Sequence, residues 1–481
     1  MSQLYVAVLA VIVAVLLGVA IYRTTRVKTK ADYLVAGRAL PAFVLVLTLL
    51  TSWIGAGSLF AGAENAYRNG FAALWLPAGG WVGLLLIYFI APRARKFAQF
   101  TLPDLLEARY NQTARVLGTI AILFAYVGIT SYQFKGGGNV LHLIFPEQVT
   151  PEFGTYIIAI FVIVTTALAG MSSVAYMDVA IGSLVTVICI IATPMLFLKA
   201  GGWNGLHAVL PITHFEVLGN LSFVRAMEFM VPTLLLMLGN QVMYQKFFSA
   251  KTERDARISV VGWILGTILL ETLIVSIAVF GSALYTKGEV ARQPYEIIPY
   301  TARNGLPALM GALLLGAVFA KVISTASNYL FSPATNLIND VFVRYMAPDA
   351  SNKRVMIVSR LAVVLLGIWA LFQAIYAPSI LAKMLWAYTI YSAALTPVVL
   401  AAFYSKRATA WGAVAAIGAG TVVTLAWDVP GVKALFPPLI ADRDAIFPAL
   451  FVAVAALILV SLFTPPPEAS QLAQFSSDGN S

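Results

Sequence analysis

The sequence predicts an all-α polytopic membrane protein, and three observations carry that prediction. Of its 481 residues 60 % are hydrophobic and 11 % charged, against roughly a quarter charged in an ordinary soluble domain. Apolar stretches of about twenty residues, long enough to cross a bilayer, follow one another almost to the C-terminus. The loops between them reach about twenty-five residues at most, too few to bury a core of their own. A soluble enzyme is excluded, and the chemistry must happen within the lipid bilayer.

Helices that satisfy their own backbone groups are expected at 3–22, 42–66, 71–92, 115–143, 152–170, 177–198, 226–245, 258–285, 307–335, 356–377, 380–404, 408–427 and 445–464, about thirteen in all. The first has no small-residue cleavage site followed by a soluble domain, so it reads as a retained helix and not a signal peptide. The 31 Lys and Arg against 21 Asp and Glu give +10, an excess that in a membrane chain is topological and does not call for nucleic acid. Basic residues gather in alternate loops: Arg23, Arg26, Lys28, Lys30 and Arg38; Arg93, Arg95, Lys96, Arg109 and Arg115; Lys251, Arg254 and Arg257; Arg344, Lys353 and Arg354; Lys406 and Arg407. The positive-inside rule puts these in the cytosol, the N-terminus outside and the C-terminus inside. The tail 465–481, rich in Pro, Ser and Gln, reads as a disordered cytosolic end.

Within one transporter-like domain, 1–464, residues 1–40 form an extra helix and loop, 41–198 and 225–404 two five-helix units, and 405–464 two closing helices. A single cysteine, Cys189, rules out an intrachain disulfide and a cysteine metal cluster. His142, His207 and His214 lack metal-ligand spacing. No cofactor is expected beyond a possible sodium ion.

Two helices depart from the lipid-facing pattern. The second contains Thr51-Ser52-Trp53-Ile54-Gly55-Ala56-Gly57-Ser58, and the seventh Pro232 followed by Gly239-Asn240-Gln241. Such residues interrupt a helix and free backbone groups, which is tolerable at membrane depth where they line a cavity or meet a ligand. The competing account of Gly55, Gly57 and Gly62 is close helix packing. If helices 2–6 and 7–11 are inverted repeats, the interrupted pair are the corresponding first helices of each half, a pointer to a central binding site.

Asp32-Tyr33-Leu34-Val35-Ala36-Gly37-Arg38 ahead of the second helix resembles a motif of the sodium:solute symporter family, as does Thr101-Leu102-Pro103-Asp104-Leu105-Leu106-Glu107-Ala108-Arg109-Tyr110. Gly170-Met171 with Met177-Asp178, Asn240-Gln241 with Gln245 and the stretch to Arg257, and Ser324-Thr325 resemble further signatures in the family's order, over about residues 30–425. The resemblance implies the five-plus-five inverted-repeat fold of bacterial leucine-type transporters. It also implies alternating access, in which a bundle of helices 2, 3, 7 and 8 rocks against a scaffold of helices 4, 5, 9 and 10.

For sodium-coupled members the resemblance implies one sodium ion held by carbonyls of Thr51 and Ile54, the carbonyl of residue 321 and the hydroxyls of Ser324 and Thr325. Residue 321, commonly alanine in the family, is lysine here. Positions 321, 324 and 325 share one helical face, so the Lys321 ammonium reaches the volume a sodium ion would fill. Two unit charges about 4 Å apart cost about 4 kcal/mol at an effective dielectric of about 20, which weakens sodium binding by roughly several hundredfold or more. Three readings stay open. Lys321 replaces sodium permanently; or it loses its proton on each cycle and makes transport proton-coupled; or it lends only its carbonyl while its side chain turns away. An intramembrane lysine calls for a partner; Asp178, at the position of a family aspartate, is favoured and Glu271 is the runner-up. The family's glutamine three residues beyond that aspartate is Ile181 here.

Polar side chains at cavity depth are few. Ser58, Tyr132, Gln133, Lys135, Thr233, Tyr388 and Tyr391 are the candidate substrate-binding residues, with Asn65, Glu64, Thr389 and Ser392 nearby. Lys135, ahead of Gly136-Gly137-Gly138, is placed to counter a solute carboxylate or to pair with a neighbouring acid. Where sugar carriers of the family use amides and acids, this chain has Ser58, Pro77 and Thr233. That disfavours a sugar and leaves an organic acid, an amino acid or a vitamin-like solute. The expected partners are thus a small organic solute, a sodium ion or proton, and the lipid bilayer. The competing class is a transporter-like membrane sensor. A channel filter, or the paired nucleophile and base of an intramembrane enzyme, is not visible, and a bacterial inner membrane is the expected location.

Overall fold

The computed structural model of the protein describes residues 2–24, 29, 32, 35–97, 101–286, 293–376, 379–468, 471–472 and 475. Arg26, Lys28, Lys30, Tyr33, Leu34 and most of the expected tail therefore lie outside the described residues. Within that tail, Phe475 packs its ring 6.1 Å from that of Phe403.

The described residues form helices and one isolated bridge pair. In chain order the main helices are α1 (Ser2–Thr24), α2 (Ala42–Trp53) and α3, a π-helical turn Gly57–Gly62 continuing as Ala63–Asn69. Then come α4 (Trp75–Phe97), α5 (Leu102–Arg109), α6 (Gln112–Ile144), α7 (Pro151–Lys199) and α8 (Gly202–Val209). The second half holds α9 (Phe223–Gly239), α10 (Gln241–Ser249), α11 (Glu253–Leu284), α12 (Ile297–Gly305) and α13 (Ala308–Asn336). It closes with α14 (Asn352–Tyr376), α15 (Ile380–Ala394), α16 (Thr396–Tyr404), α17 (Ala410–Trp427) and α18 (Ile446–Phe463). Among the described residues eleven helical stretches are long and apolar enough to cross a membrane, with shorter apolar helices at Gln3–Val19 and Ala42–Trp53. Starts are marked by side-chain caps, Asn111 for α6, Thr150 for α7 and Thr252 for α11, each satisfying an amide the first turn leaves free.

Both expected interruptions are present. The second helix stops at Trp53, Ile54 is extended (φ −79°, ψ 121°), and helical structure resumes at Gly57. The seventh stops at Gly239, Asn240 is extended (φ −64°, ψ 113°), and α10 follows. Pro232, expected to loosen that helix, instead lies inside α9. Ser392 donates to its carbonyl at 2.7 Å. Two irregularities were not foreseen: a break at Leu395 between α15 and α16, and a π-helical run Leu337–Met346 extending α13.

α7 is helical over 49 residues, a straight length of about 73 Å, yet the end of α6 that leads into it and its own far end meet the same segment. Arg303 donates to the carbonyl of Leu143 in the last turn of α6 at 2.7 Å, and Lys199 at the end of α7 donates to the Gly305 carbonyl at 2.8 Å. The run must double back, and its two apolar stretches, Pro151–Leu168 and Val174–Lys199, cross separately. On the opposite face the start of α2 is pinned to the end of α10: Leu40 and Ser249 share a backbone bond of 3.0 Å, and Lys251 donates to Leu40 at 2.9 Å.

Two groups of packed helices meet: α4 lies on α9 and α11, with α2 on α11, while α13 and α14 lie on α6 and α7, and α2 joins the groups by packing on α7 as well. Glycine permits the closest approach in the first group, since a Cβ on Gly79 would lie 2.1 Å from the Met230 carbonyl oxygen of α9. Gly79→Ala is therefore expected to cost about 1–3 kcal/mol by overpacking. Gly418→Ala, with open space around it, should cost nothing. Unfolding of the purified protein in detergent checks both.

Candidate functional site

The interrupted second helix organises the site. An α-helix end leaves its last carbonyls without intrahelical donors, and α2 ends inside the bundle. The Thr325 hydroxyl on α13 lies 3.2 Å from the Thr51 carbonyl oxygen, 2.9 Å from that of Ile54 and 3.0 Å from that of Lys321. These are four of the five oxygens expected to hold a cation, gathered around a single proton. The fifth, the Ser324 hydroxyl, points elsewhere and donates to Asp178. The Lys321 ammonium is fully buried and donates to the Leu50 carbonyl at 3.2 Å, one residue before Thr51.

Lys321 does not take either expected partner as a close ion pair. Asp178 and Glu271 are electrostatic neighbours of Lys321, but the ion pair of Asp178 is made by Lys246, at 3.4 Å. Lys246, on α10, was not singled out from the sequence. Its ammonium, with three protons to give, also lies 2.9 Å from the Thr48 carbonyl oxygen, 2.8 Å from the Thr48 hydroxyl, 2.9 Å from the Asn328 side-chain oxygen and against the Ser52 hydroxyl. Asp178 in turn accepts from Thr48, Ser324 and Asn328. A lysine clasped by oxygens from α2, α7 and α13 thus stands beside the cation region. The sequence signal was a lysine soon after the Asn240 break, flanked by aromatic residues, which reads on its own as the basic end of a membrane helix.

Trp53, at the end of α2, also lines a narrow cavity of about 20 Å³ with, among others, Ser58, Thr233, Glu271, Met384 and Tyr388. Ser58, Thr233 and Tyr388 share this lining with Pro77. The Tyr132 hydroxyl lies beside Gly57 with that of Tyr388. Thr233 donates to Phe229 within its own helix at 2.9 Å, and Ser58 donates to Glu271 at 2.8 Å. The other candidates serve the helix breaks. Gln133 accepts from the Ala56 amide at 2.7 Å, closing the first break, and Tyr391 accepts from the Gln241 amide at 2.9 Å, closing the second. Lys135 is not in the cavity lining and has Glu152 as its electrostatic neighbour.

A second polar cluster sits at the bundle end that carries the basic loops. Arg115 donates to Asp104 at 2.6 Å, to Asp340 at 2.6 Å and to Glu107. Thr101, which caps α5, donates to Asp340 at 3.0 Å, and the Leu102 amide donates to Gln241 at 3.0 Å. The motif containing Thr101, Asp104 and Glu107 thus ties α5 to the end of α13 and to the second break. Asp340 was missed because only the π-helical extension of α13 carries it there.

Comparison with known proteins follows the same lines. Residues 33–420 match the model of the sodium:solute symporter family. The chain belongs to that family. Among its relatives, the osmoregulated proline transporter OpuE of Bacillus subtilis is 23 % identical over 91 % of this chain and 90 % of its own. The sodium/proline symporter of Staphylococcus aureus is 25 % identical over 91 % and 88 %. A Na⁺-coupled sialic acid symporter, solved substrate-bound and outward-open, superposes with a TM-score of 0.82 at 18 % identity over 97 % of this chain and 98 % of its own. That likeness establishes a shared transporter fold. Secondary active symport is thereby the family activity, exercised by an integral membrane protein.

Lys246 and Asp178 are fully buried, so removing one partner leaves the other charge unpaired. Lys246→Met is expected to lower stability by about 3–5 kcal/mol, and adding Asp178→Asn to recover part of the loss. A double-mutant cycle of denaturant unfolding in detergent measures the coupling.

Proposed function

We propose that this protein moves a small polar organic solute by alternating access, and that the Lys321 ammonium takes the place of a sodium ion at the open end of α2. The observation that carries this reading is the donation from Lys321 to the Leu50 carbonyl. A helix C-terminus favours positive charge, and here the chain supplies that charge itself. A cavity walled by apolar and aromatic side chains with the few polar groups of Ser58, Thr233 and Glu271 suits a small solute. The division into an α2–α4–α9–α11 group and an α6–α7–α13–α14 group supports the rocking of one against the other. The clustering of Arg115, Arg344, Glu107 and Asp340 at one end supports a common side for the basic loops, the cytosolic side of a bacterial inner membrane, with the N-terminus opposite.

Sodium-driven symport is the second reading, and a specific observation favours it. One Thr325 proton faces three carbonyls, so at least two of them lack a donor there, and unwound carbonyls of this kind coordinate sodium in transporters. The Staphylococcus aureus relative is a sodium/proline symporter.

Solute uptake by reconstituted proteoliposomes separates the two. With Lys321 in the site, uptake by the wild type is independent of a sodium gradient. Lys321→Ala gains sodium dependence, with apparent sodium affinity raised by more than about a hundredfold. Saturable sodium-driven uptake by the wild type overturns the proposal. Uptake driven by a proton gradient, and lost in Lys321→Met, assigns proton coupling to the amine. No flux of any solute under any ion gradient rejects the carrier reading itself.

A further inference from the structure

We propose that Glu271 recognises an amino or quaternary ammonium group of the transported solute, so that the cavity takes small organic cations and zwitterions. This rests on the carrier reading above and names the class of solute.

Glu271 supplies the only ionisable side chain of acidic or basic type in the cavity lining, and that lining contains no lysine, arginine or histidine. It is 4 % exposed. Its Oε1 accepts from Ser58 at 2.8 Å, which fixes the carboxylate against the second half of the interrupted helix. Among the described residues no basic side chain forms a salt bridge with it. The closest claim on its charge comes from Lys321, whose ammonium is committed to the Leu50 carbonyl. Lys321 acts on this carboxylate without forming an ion pair with it, and an ammonium entering the cavity would meet it directly.

The rest of the wall suits the same guest. The Trp53 and Tyr388 rings both line the cavity, with centroids 6.2 Å apart and planes 29° apart. Aromatic rings attract ammonium groups, alkylated ones included, through their electron-rich faces. Met384 and Val275 add apolar, polarizable surface. An organic anion without an amino group would meet the Glu271 charge with no base to offset it, so anions of that kind are rejected by repulsion as well as by poor fit.

The experiment uses matched pairs on the full-length protein: L-proline against cyclopentanecarboxylate, and choline against 3,3-dimethylbutanol, with sialic acid and glucose as outsiders. Binding is read by ligand-induced thermal stabilisation in detergent, and transport by uptake into proteoliposomes. In the wild type an ammonium-bearing member of at least one pair binds and is taken up, and its isostere without nitrogen binds at least about tenfold more weakly. Glu271→Gln raises the half-saturating concentration of the bound amine about ten- to a hundredfold, and Glu271→Asp recovers part of it. The pair comparison on the wild type stands even if the variants fail to fold. Equal binding of an isostere, binding confined to the outsiders, an unchanged Glu271→Gln profile, or no binding of either amine overturns the inference. Uptake of a non-amine alone overturns it while leaving the carrier reading intact.

Discussion

Where α2 stops at Trp53, the carbonyls of its last turn lose their helical donors inside the bundle, and buried acceptors without donors are costly. The surrounding structure answers that cost from several helices at once. Thr325 faces the Thr51 and Ile54 carbonyls and Gln133 takes the Ala56 amide, while Lys321 and Lys246 add donors to the Leu50 and Thr48 carbonyls, of which Leu50 also keeps the Ile54 amide at 3.2 Å. These donors come from α6, α10 and α13, so the opened helix end gathers those helices around itself. The oxygen cluster around Thr325 and the cavity beside Trp53 both adjoin this one cut.

The cut also sorts charge. Lys246 pairs with Asp178, and Glu271 lines the cavity with Ser58. Lys321 lies within the electrostatic reach of both acids. Two buried ammonium groups and two buried carboxylates balance formally. That balance is what allows four ionisable side chains to sit at membrane depth, where an isolated charge is expensive. A solute bearing its own positive charge would shift it on the cavity side alone, leaving the Lys246–Asp178 pair as fixed scaffolding.

Much of the fold was legible because membrane burial writes itself into runs of apolar residues. The expected 258–285 became Glu253–Leu284, and 445–464 became Ile446–Phe463. The break at 51–58 was legible because small and polar residues at that depth have few other uses. Lys321 stood out as a lysine in an otherwise apolar helix. What sequence could not supply was the far partner. Gln133 and Tyr391 are polar residues of the right depth, yet only the assembled bundle shows that they cap opened helices while Ser58 and Tyr388 face the cavity. Lys246 was hidden for a similar reason. Its neighbours resemble a membrane-edge flank, and only the redirection of the chain at Asn240 carries it to Asp178.

The short ladder joining Leu40 to Ser249 and Lys251 has a mechanical meaning. It fastens the foot of the first cut helix to the foot of the second, while their upper halves, α3 and α9, are joined to them only through single extended residues or short turns. A tilt imposed on one foot must drag the other with it or tear two amide links. The lower halves are therefore yoked as a single lever, and the joints at Ile54 and Asn240 are the places where that lever can bend.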